Sequence, residues 1–357
     1  MEKLEHDSKD IMITLLNFFK EREAEIPRDE IASRWLEIER RVAMRRRWSA
    51  IIYAASVAAA VALLFTVFVP RSVNVVDESA GDIVSFASSV PAISSDKLVC
   101  VVPGCDLIEV EGSHASVSCG PDGEIAVGDA VVSSGSDAGG VNDYCRLIVP
   151  GGKRAELTLP DGSRIWANSR TSIIYPREFA SDHREIYVTG EVYAEISPDR
   201  NRPFTVLTGD FCVKVLGTSF NIMAYDADSV SQVVLVTGRI DLTDNVTGST
   251  AALAPGDMAE VSSAGVMGPV KVDVEPYISW INDILICRDE PLGKVCRRLW
   301  RCYDREFVVD PSAADINVTG KLYLKEDIND VLHTISYSTS VEFVHKNGKI
   351  YVTVPNR

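Results

Sequence analysis

An uncharged stretch from Trp48 to Val69 is the feature that most constrains how this chain can fold. It contains 22 residues, most of them Ala, Val, Ile, Leu or Phe. As an α-helix rising about 1.5 Å per residue it would be about 33 Å long, enough to cross a bilayer core of about 30 Å. A cleaved signal peptide would lie within roughly the first 15–30 residues. The sequence therefore predicts a transmembrane helix over residues 48–69.

The basic residues beside this stretch give it a direction. Five arginines precede it closely, and only Arg71 follows it before the first acidic residues. Segments rich in Arg and Lys stay in the cytoplasm, so we expect residues 1–47 inside and residues 70–357 outside. The arginines that determine this topology are Arg40, Arg41, Arg45, Arg46 and Arg47.

The formal net charge of −15 falls entirely on the expected outer part. Residues 1–47 hold 11 of the 36 Lys and Arg and 11 of the 51 Asp and Glu, so they are neutral. The remaining 25 basic and 40 acidic residues carry the whole excess. An acidic exterior argues against direct binding of nucleic acid or of anionic lipid there.

The N-terminal segment predicts two amphipathic helices. Pro27 suits the first position of the second helix, whose apolar residues recur at i, i+4, i+7 and i+11. These residues are Ile31, Trp35, Ile38 and Val42. So short a segment rarely buries enough apolar surface to be stable alone, which favours docking of this stripe into a groove on a partner protein. The alternative is a helical hairpin that packs on itself.

All eight cysteines lie in the expected outer part. Four of them cluster in the sequence and could form two disulfides, in any of three pairings, if that side is oxidising. These four are Cys100, Cys105, Cys119 and Cys145. No CxxC spacing occurs and the five histidines are scattered, so we expect neither a metal site nor a cofactor.

The outer part divides into three predicted regions. Residues 70–146, rich in Gly, Ser, Val and Asp, are compatible with either a spacer or a small Cys-containing β module. Residues 147–272 predict an all-β domain, a sandwich or a short β-solenoid, because short strands alternate with turns such as Pro160-Asp161-Gly162. Residues 273–357 predict an α+β domain of order β-α-β, β-α-β-β, with a hairpin at Asn347-Gly348.

Several motifs of the β domain follow one another in the order of a known family. They are Leu159-Pro160-Asp161-Gly162-Ser163-Arg164-Ile165-Trp166-Ala167-Asn168-Ser169, Tyr175-Pro176, Gly190-Glu191-Val192-Tyr193-Ala194-Glu195-Ile196, Arg202-Pro203-Phe204-Thr205-Val206, Val215-Leu216-Gly217-Thr218-Ser219-Phe220-Asn221-Ile222, Gly238-Arg239-Ile240 and Leu253-Ala254-Pro255-Gly256-Asp257. On these residues the chain resembles the FecR family of membrane-anchored sigma-factor regulators. From Trp280 through Pro291-Leu292 to the end it resembles the domain that follows in Bacteroidetes-type members. Residues 71–145 depart from the family, which usually has a shorter connection there.

The resemblance implies a role in cell-surface signalling. Family members hold an extracytoplasmic-function sigma factor through the cytoplasmic segment, as anti-sigma factors or as activators. Their periplasmic part receives a signal from the N-terminal signalling domain of an outer-membrane TonB-dependent transporter. We therefore expect a single-pass inner-membrane protein that inhibits such a sigma factor, with the transporter's signalling domain as a second partner. Separately, the small residues of Ala54–Ala62 suggest a segment that an envelope protease could unwind and cut, and the alternative is a plain anchor.

No enzyme active site is expected in this chain. It has no GxSxG motif, and no histidine is placed to complete a catalytic triad. Self-cleavage at Gly217-Thr218 is the one chemical step that the sequence suggests, because the Thr218 hydroxyl could attack the preceding carbonyl. The resemblance implies that some relatives split themselves at this position. The alternative is that the two residues only bend one strand into the next.

Two classes of function remain open. The preferred one is a transmembrane regulator of transcription that works by protein–protein contact. The alternative is an inner-membrane-anchored envelope protein whose β domain binds a glycan or another surface ligand without a sigma factor. The expected fold class is a multidomain single-pass membrane protein. It comprises a short all-α cytoplasmic segment, one transmembrane helix, an all-β periplasmic domain and a signalling-domain-like α+β domain.

Overall fold

Strands dominate the part of the chain that the structure describes. The structure is a computed structural model, and it describes residues 80–355 apart from residues 92, 94, 134–142, 325 and 326. A first helix, α1 (Ala80–Ser89), is followed by a run of strands that ends at Lys271. We call residues 98–271 the β region.

Most strands of the β region have three to eight residues, and one has twelve. In chain order they are β1 (Leu98–Val101), β2 (Ile108–Val110), β3 (His114–Cys119), β4 (Ile125–Val127), β5 (Ala130–Ser133), β6 (Tyr144–Val149), β7 (Arg154–Thr158), β8 (Arg164–Ala167), β9 (Thr171–Pro176), β10 (Arg184–Glu195), β11 (Phe204–Leu207), β12 (Phe211–Val215), β13 (Ser219–Ala224), β14 (Val230–Thr237), β15 (Ile240–Asp244), β16 (Thr250–Leu253), β17 (Asp257–Ser262) and β18 (Gly265–Lys271). Gly-, Pro- and Asp-containing turns separate many of them, because these residues suit tight turns.

These strands form two layers that share β10. The order in the first layer is β2-β1-β6-β9-β10-β11-β12-β15-β16. The order in the second is β5-β4-β3-β7-β8-β10-β13-β14-β17-β18. Strand β10 passes from one layer to the other at Gly190, whose φ is +113°. A Cβ there would lie 2.7 Å from the Cα of Thr171, so this crossing requires glycine.

The two layers enclose one hydrophobic core. Alternate residues point inward along strands such as β17, as the two-residue period of a strand requires. Phe204 of the first layer and Phe220 of the second are both fully buried in this core. Removal of this apolar surface from water is the main force that holds the layers together.

The helix α1 packs on the outside of the β region. Its Ile83 is buried against Ile174 and Leu207. The ring of Phe86 lies 5.2 Å from that of Tyr144. Residues 80–89 are therefore docked on the strands that follow them.

The structure corrects the prediction for residues 98–133, which belong to the predicted region 70–146. Strand β1 pairs with β6, and β3 pairs in parallel with β7, 40 residues further along the chain. Strands β1–β5 thus extend both layers, and they form neither a spacer nor a separate module. The boundary predicted between residues 146 and 147 falls inside β6. Pairing between distant strands leaves no local pattern in the sequence, which is why this extension was not predicted.

A smaller C-terminal domain follows the β region. The chain reaches it through α2 (Glu275–Ile278) and a 3₁₀ turn (Ser279–Asn282). The domain contains β19 (Ile284–Pro291), α3 (Leu292–Tyr303), β20 (Phe307–Val309), α4 (Pro311–Ala314), β21 (Asn317–Tyr323), α5 (Ile328–Thr339), β22 (Glu342–Lys346) and β23 (Lys349–Thr353). Its strands form two small sheets, β19-β21 and β20-β23-β22.

The C-terminal domain has a hydrophobic core of its own. On α3 the buried residues recur at i, i+3, i+4 and i+7, the period of an amphipathic helix. These are Leu292, Val295, Cys296 and Leu299. They pack with buried side chains of α5 and of both sheets, such as Val331 and Val352. The two parts of the described chain therefore hold separate apolar cores.

The predicted fold class, a multidomain single-pass membrane protein, is wrong for the part of the chain that the structure describes. The described residues are mainly β, and none of their helices is long and apolar enough to cross a membrane. The longest of these helices, α3 and α5, have 12 residues each, whereas a span needs about 20. The predicted cytoplasmic helices (residues 1–47) and the predicted span (residues 48–69) lie outside the described residues. The span over residues 48–69 therefore stays a prediction.

Candidate functional site at the contact between the two domains

Trp280 anchors the C-terminal domain on the β region. The side chain belongs to the 3₁₀ turn before β19 and is 2 % exposed. Its indole Nε1–H donates a hydrogen bond to Oδ1 of Asn221 on β13, at 3.2 Å. A buried indole N–H usually requires such a partner. The turn that leads into the C-terminal domain is thus fixed to a strand of the β region.

The carboxylate of Glu191 joins two asparagines of the β region. Nδ2 of Asn168 donates to it at 2.8 Å, and Nδ2 of Asn221 donates to it at 3.2 Å. Oδ1 of Asn168 in turn accepts a hydrogen bond from Nε of Arg154 at 3.1 Å. One chain of hydrogen bonds therefore runs from Arg154 through Glu191 to Trp280. We call these five residues the Glu191 network.

Arg154 extends the Glu191 network to the first residue after the 3₁₀ turn. Its guanidinium forms an ion pair with Asp283 and lies 5.9 Å from the ring centre of Trp280. Asp283 has a φ of +57°, in the left-handed region that closes the turn. Nε2 of His114, on β3, lies 3.5 Å from the same carboxylate. The region predicted as a spacer or separate module therefore also reaches the domain contact.

Arg301 makes a second contact between the domains. It lies on α3 but is only 6 % exposed, and its Nη2 donates to both carboxylate oxygens of Asp228, at 2.7 and 2.6 Å. Its guanidinium carbon lies 3.9 Å from the ring centre of Tyr225. Burial raises the pKa of Tyr225 well above its ordinary value. The hydroxyl therefore stays protonated and donates to the carbonyl oxygen of Ser169 at 2.9 Å.

Arg170 and Gly151 make a third contact. The guanidinium of Arg170 lies 4.2 Å from the ring centre of Trp300 and forms an ion pair with Asp304. A cation over an indole face is attracted by the ring quadrupole. A Cβ on Gly151 would lie 2.4 Å from Oδ1 of Asp304, so a larger residue here would displace that carboxylate.

A cavity of about 860 Å³ lies beside these contacts. Residues of β13, β14 and β17 line one wall, and residues of β19 and α3 line the other. Its volume falls within the range of about 300–1,000 Å³ that is typical of ligand sites. The lining mixes apolar residues such as Met223 and Tyr277 with charged residues such as Glu260 and Lys294.

The motifs that carried the family resemblance meet at this contact. Asn168, Glu191, Asn221 and Trp280 come from four separate stretches of the sequence, and the sequence alone gave none of them a role. The sequence patterns did not indicate that Arg154, Arg170 and Arg301 lie at the contact between the domains. Arg301, for example, lies off the apolar stripe of α3, so its position in the helix predicts an exposed side chain.

Gly217 and Thr218 lie between β12 and β13, outside the domain contact. Gly217 has a φ of +155°, and a Cβ there would lie 2.7 Å from the Cα of Pro198. Thr218 is 4 % exposed, and its hydroxyl donates to the carbonyl oxygen of Arg239 at 3.1 Å. In the described part of the chain, this hydroxyl has no carboxylate or imidazole as a hydrogen-bond partner.

The four predicted disulfide cysteines are free thiols in the structure. Cys105 is exposed, whereas Cys100, Cys119 and Cys145 are buried in the core of the β region. Burial raises the pKa of Cys100 to about 11 and that of Cys119 to about 12. These buried thiols therefore stay protonated at neutral pH and are poor nucleophiles.

The remaining predicted site residues cannot be placed in this geometry. The apolar stripe at Ile31, Trp35, Ile38 and Val42 and the five arginines before residue 48 lie outside the described residues. Within residues 80–355, as far as they are described, no three His, Cys, Asp or Glu side chains are grouped so that they could hold a metal ion.

Comparison with known proteins identifies both parts of the described chain. The family FecR protein matches residues 146–241, and the family FecR, C-terminal matches residues 284–352. Two crystal structures of candidate anti-sigma factors from Parabacteroides distasonis ATCC 8503, at 2.50 and 1.65 Å resolution, are also similar. Each is 29 % identical with a TM-score of 0.54. The matches cover 60 % and 59 % of this chain and 100 % and 99 % of the respective solved chains.

No curated protein matches the sequence. The two family matches fall on the two structural parts, one on the β region and the other on the C-terminal domain. The resemblance inferred from the motifs is thus confirmed for the stretches that match the two FecR families.

Proposed function

We propose that this protein regulates a sigma factor and binds it through residues 1–47. The matches to the two FecR families carry the proposal, together with the similarity to two candidate anti-sigma factors. The stripe that includes Trp35 is the expected contact, because so short a segment needs a partner to bury it. Retention of the sigma factor by this segment would keep it from RNA polymerase, so the expected action is inhibition.

The β region and the C-terminal domain receive the signal in this proposal. Each has its own core, and the Glu191 network and Arg301 join them. A partner that changes the position of one domain therefore acts on the other through a few directional contacts. We further propose that residues 80–355 lie in the periplasm. A C-terminal alkaline phosphatase fusion should then be active, since that enzyme folds only outside the cytoplasm.

The proposed outer partner is the signalling domain of a TonB-dependent transporter. The C-terminal domain exposes apolar side chains that a partner could cover: Tyr337 is 89 % exposed and Tyr323 is 56 % exposed. Large exposed aromatic residues are enriched where proteins contact one another. Replacement of both by Ser should weaken binding of the purified signalling domain without loss of the fold.

Self-cleavage between Gly217 and Thr218 is a second, separate proposal. The Thr218 oxygen would attack the Gly217 carbonyl carbon, the C–N bond would break, and the hydroxyl proton would move to the freed nitrogen. Water would then hydrolyse the ester and leave two chains. The observation that supports the step is the position of the Thr218 hydroxyl directly after a glycine with a φ of +155°. The fragments would also give envelope proteases a substrate.

Three forms of the chain test self-cleavage on a blot. The wild type and Thr218→Ser, which keeps a hydroxyl, should yield two fragments, and Thr218→Ala should yield only full-length protein. A single full-length band in all three would end this proposal and leave the sigma-factor proposal untouched.

The main proposal is tested by copurification of a sigma factor with the full-length chain. The wild type should retain an extracytoplasmic-function sigma factor, and Trp35→Ala should lose most of it. Glu37→Ala, in the same segment but off the apolar stripe, serves as the matched control and should retain it. If the wild type retains no sigma factor but its β region binds a glycan, the alternative function is correct.

A further inference from the structure

One edge of the β20-β23-β22 sheet is open. Strand β22 pairs with β23 and with no other strand of the described residues. The N–H of Ile350 and the carbonyl oxygen of Val352, both on β23, form hydrogen bonds on the side of β20. Their partners across the hairpin, His345 and Phe343, therefore direct their own N–H and C=O groups away from β23. Such an unpaired edge can accept a further strand.

The side chains of β22 divide between the two faces of the sheet. Phe343 packs against the core of the C-terminal domain. Glu342, Val344 and Lys346 therefore share the opposite face, because side chains alternate along a strand, and all three are exposed. Val344 is 48 % exposed although it is apolar. The exposed face of β22 thus carries an acid, an apolar residue and a base, in that order.

Among the described residues, neither charge of this exposed face has a partner of opposite sign, since no ion pair includes Glu342 or Lys346. Lys346 instead lies opposite Lys349 on β23, and like charges in that arrangement repel each other. The ammonium group of Lys349 is compensated by a carboxylate oxygen of Glu306 at 2.6 Å. A carboxylate on the open side of Lys346 would therefore be favourable.

We propose that β22 pairs antiparallel with β22 of a second copy of this chain, with a two-fold axis at Val344. Phe343 of one copy then lies opposite His345 of the other, so their outward-facing groups can exchange both N–H···O hydrogen bonds. On the exposed face, Glu342 of each copy lies opposite Lys346 of the other. The two Val344 side chains meet between these ion pairs. The interface is isologous, which means that one surface is its own complement.

The charges favour this register over its neighbours. Registers that keep the same backbone groups facing each other differ by two residues, because the outward-facing groups recur with that period. Either shift places Glu342 or Lys346 opposite Val344 and loses both ion pairs. The domain itself opposes self-association little, since residues 273–357 hold 13 Asp and Glu and 11 Lys and Arg, a net charge of −2. This inference does not rest on the sigma-factor proposal.

A charge swap tests the proposal, with the dimer dissociation constant of the purified full-length chain measured by sedimentation equilibrium. Glu342→Lys and Lys346→Glu each place like charges opposite one another at both ends of the interface, so each should raise this constant at least about fivefold. The combined variant, Glu342→Lys with Lys346→Glu, restores opposite charges and should stay within about twofold of the wild type. Asp315→Lys is the matched control and should change nothing, because Asp315 is an exposed residue of the same domain outside β22.

A disulfide across the two-fold axis tests the register. The two Val344 residues would form a non-hydrogen-bonded pair with Cα atoms about 4.5 Å apart, a separation that a disulfide can span. Oxidised Val344→Cys should therefore give a covalent dimer that a reductant separates. The wild type and Tyr337→Cys, at an exposed residue outside β22, should give none.

Three results would overturn the proposal. The first is a monomeric wild type, whatever else its β22 edge binds. The second is a dimer that either single charge variant leaves as stable as the wild type, or that the combined variant fails to restore. The third is no more covalent dimer from Val344→Cys than from Tyr337→Cys. Sigma-factor copurification, measured on the same proteins, distinguishes this failure from failure of the main proposal.

Discussion

The interior of the β region and the contact that joins it to the C-terminal domain use opposite chemistry. Most of the buried side chains in that interior are apolar, and Phe204 and Phe220 among them are fully buried. The contact consists of arginines, carboxylates and amides, such as Arg301 with Asp228. Apolar burial is non-directional and cumulative, whereas these polar contacts depend on the position of a few atoms.

This difference indicates that the contact can open while both domains stay folded. Each domain keeps its own apolar core when the arginines lose their partners. The polar groups of the contact can then bind water, which makes separation less costly than unfolding. A contact of this kind suits a protein that must change state when a partner binds.

The largest loss of stability should come from the core of the β region. Phe220→Ala removes a fully buried ring and leaves a cavity, so the free energy of unfolding should fall by about 3–5 kcal/mol. Denaturant unfolding of the chain measures this loss. Val246→Ala, at a side chain that is 84 % exposed, should change the value by less than about 0.5 kcal/mol. Similar losses in the two variants would contradict the placement of Phe220.

A somewhat smaller loss should follow when the buried ion pair of the β region is broken. Arg184 is completely buried and pairs with Asp161, which is also buried. Asp161→Ala leaves this charge without its carboxylate and should cost about 3 kcal/mol of unfolding free energy. Asp241→Ala, in the exposed pair with Arg239, should cost less than about 1 kcal/mol. If the two variants were equally stable, the buried pair would not stabilise the fold.

A substitution at the domain contact should weaken that contact without changing the stability of the β region. Asp228→Asn removes the negative charge beside Arg301 and should weaken the contact by about 1–2 kcal/mol. Proteolysis between residues 272 and 283 should become faster, while denaturant unfolding of the β region should stay unchanged. Asp226→Asn, at a nearby exposed side chain, is the control and should change neither. A loss of β-region stability in Asp228→Asn would contradict the view that the contact opens independently.

The smallest effect should appear at acid pH, at the edge of the β region. Lys271 and the backbone N–H of Ala254 hold the pKa of Asp257 below its ordinary value. The ionised carboxylate thus stabilises the fold above the ordinary Asp pKa of about 3.9, and this stabilisation is lost as the pH falls through the lower pKa of the folded state. Asp257→Asn should therefore lose less unfolding free energy than the wild type as the pH falls below about 4. Urea unfolding at pH 6 and pH 3 measures how much unfolding free energy is lost between the two pH values. The same loss in the variant and the wild type would contradict the role of Asp257.

Local sequence patterns predicted local structure well. The Asn347-Gly348 turn joins β22 and β23 as expected, and the apolar spacing on α3 corresponds to its buried face. The motifs of the β region also indicated the family that the comparisons match. These predictions succeeded because hydrophobic period and turn chemistry act between neighbours in the chain.

The pairing of distant segments could not be predicted in the same way. Strand β3 pairs with β7 over a separation of 40 residues, and no local pattern indicates this. The Glu191 network likewise joins four distant stretches through amide and carboxylate side chains, which occur on most protein surfaces. The burial of Arg301 could not be predicted for the same reason. It depends on the carboxylate of Asp228, which belongs to the other domain.

The most direct test of the account is whether the domain contact controls the sigma factor. Transcription from a promoter that depends on this sigma factor should be measured in cells that carry the full-length wild type, Asp228→Asn or Asp226→Asn. We expect Asp228→Asn still to copurify with the sigma factor, but its transcription level should no longer respond to the signal. Asp226→Asn should respond like the wild type. An unchanged response in Asp228→Asn, with the domain contact shown to be open by proteolysis, would contradict the claim that the contact relays the signal.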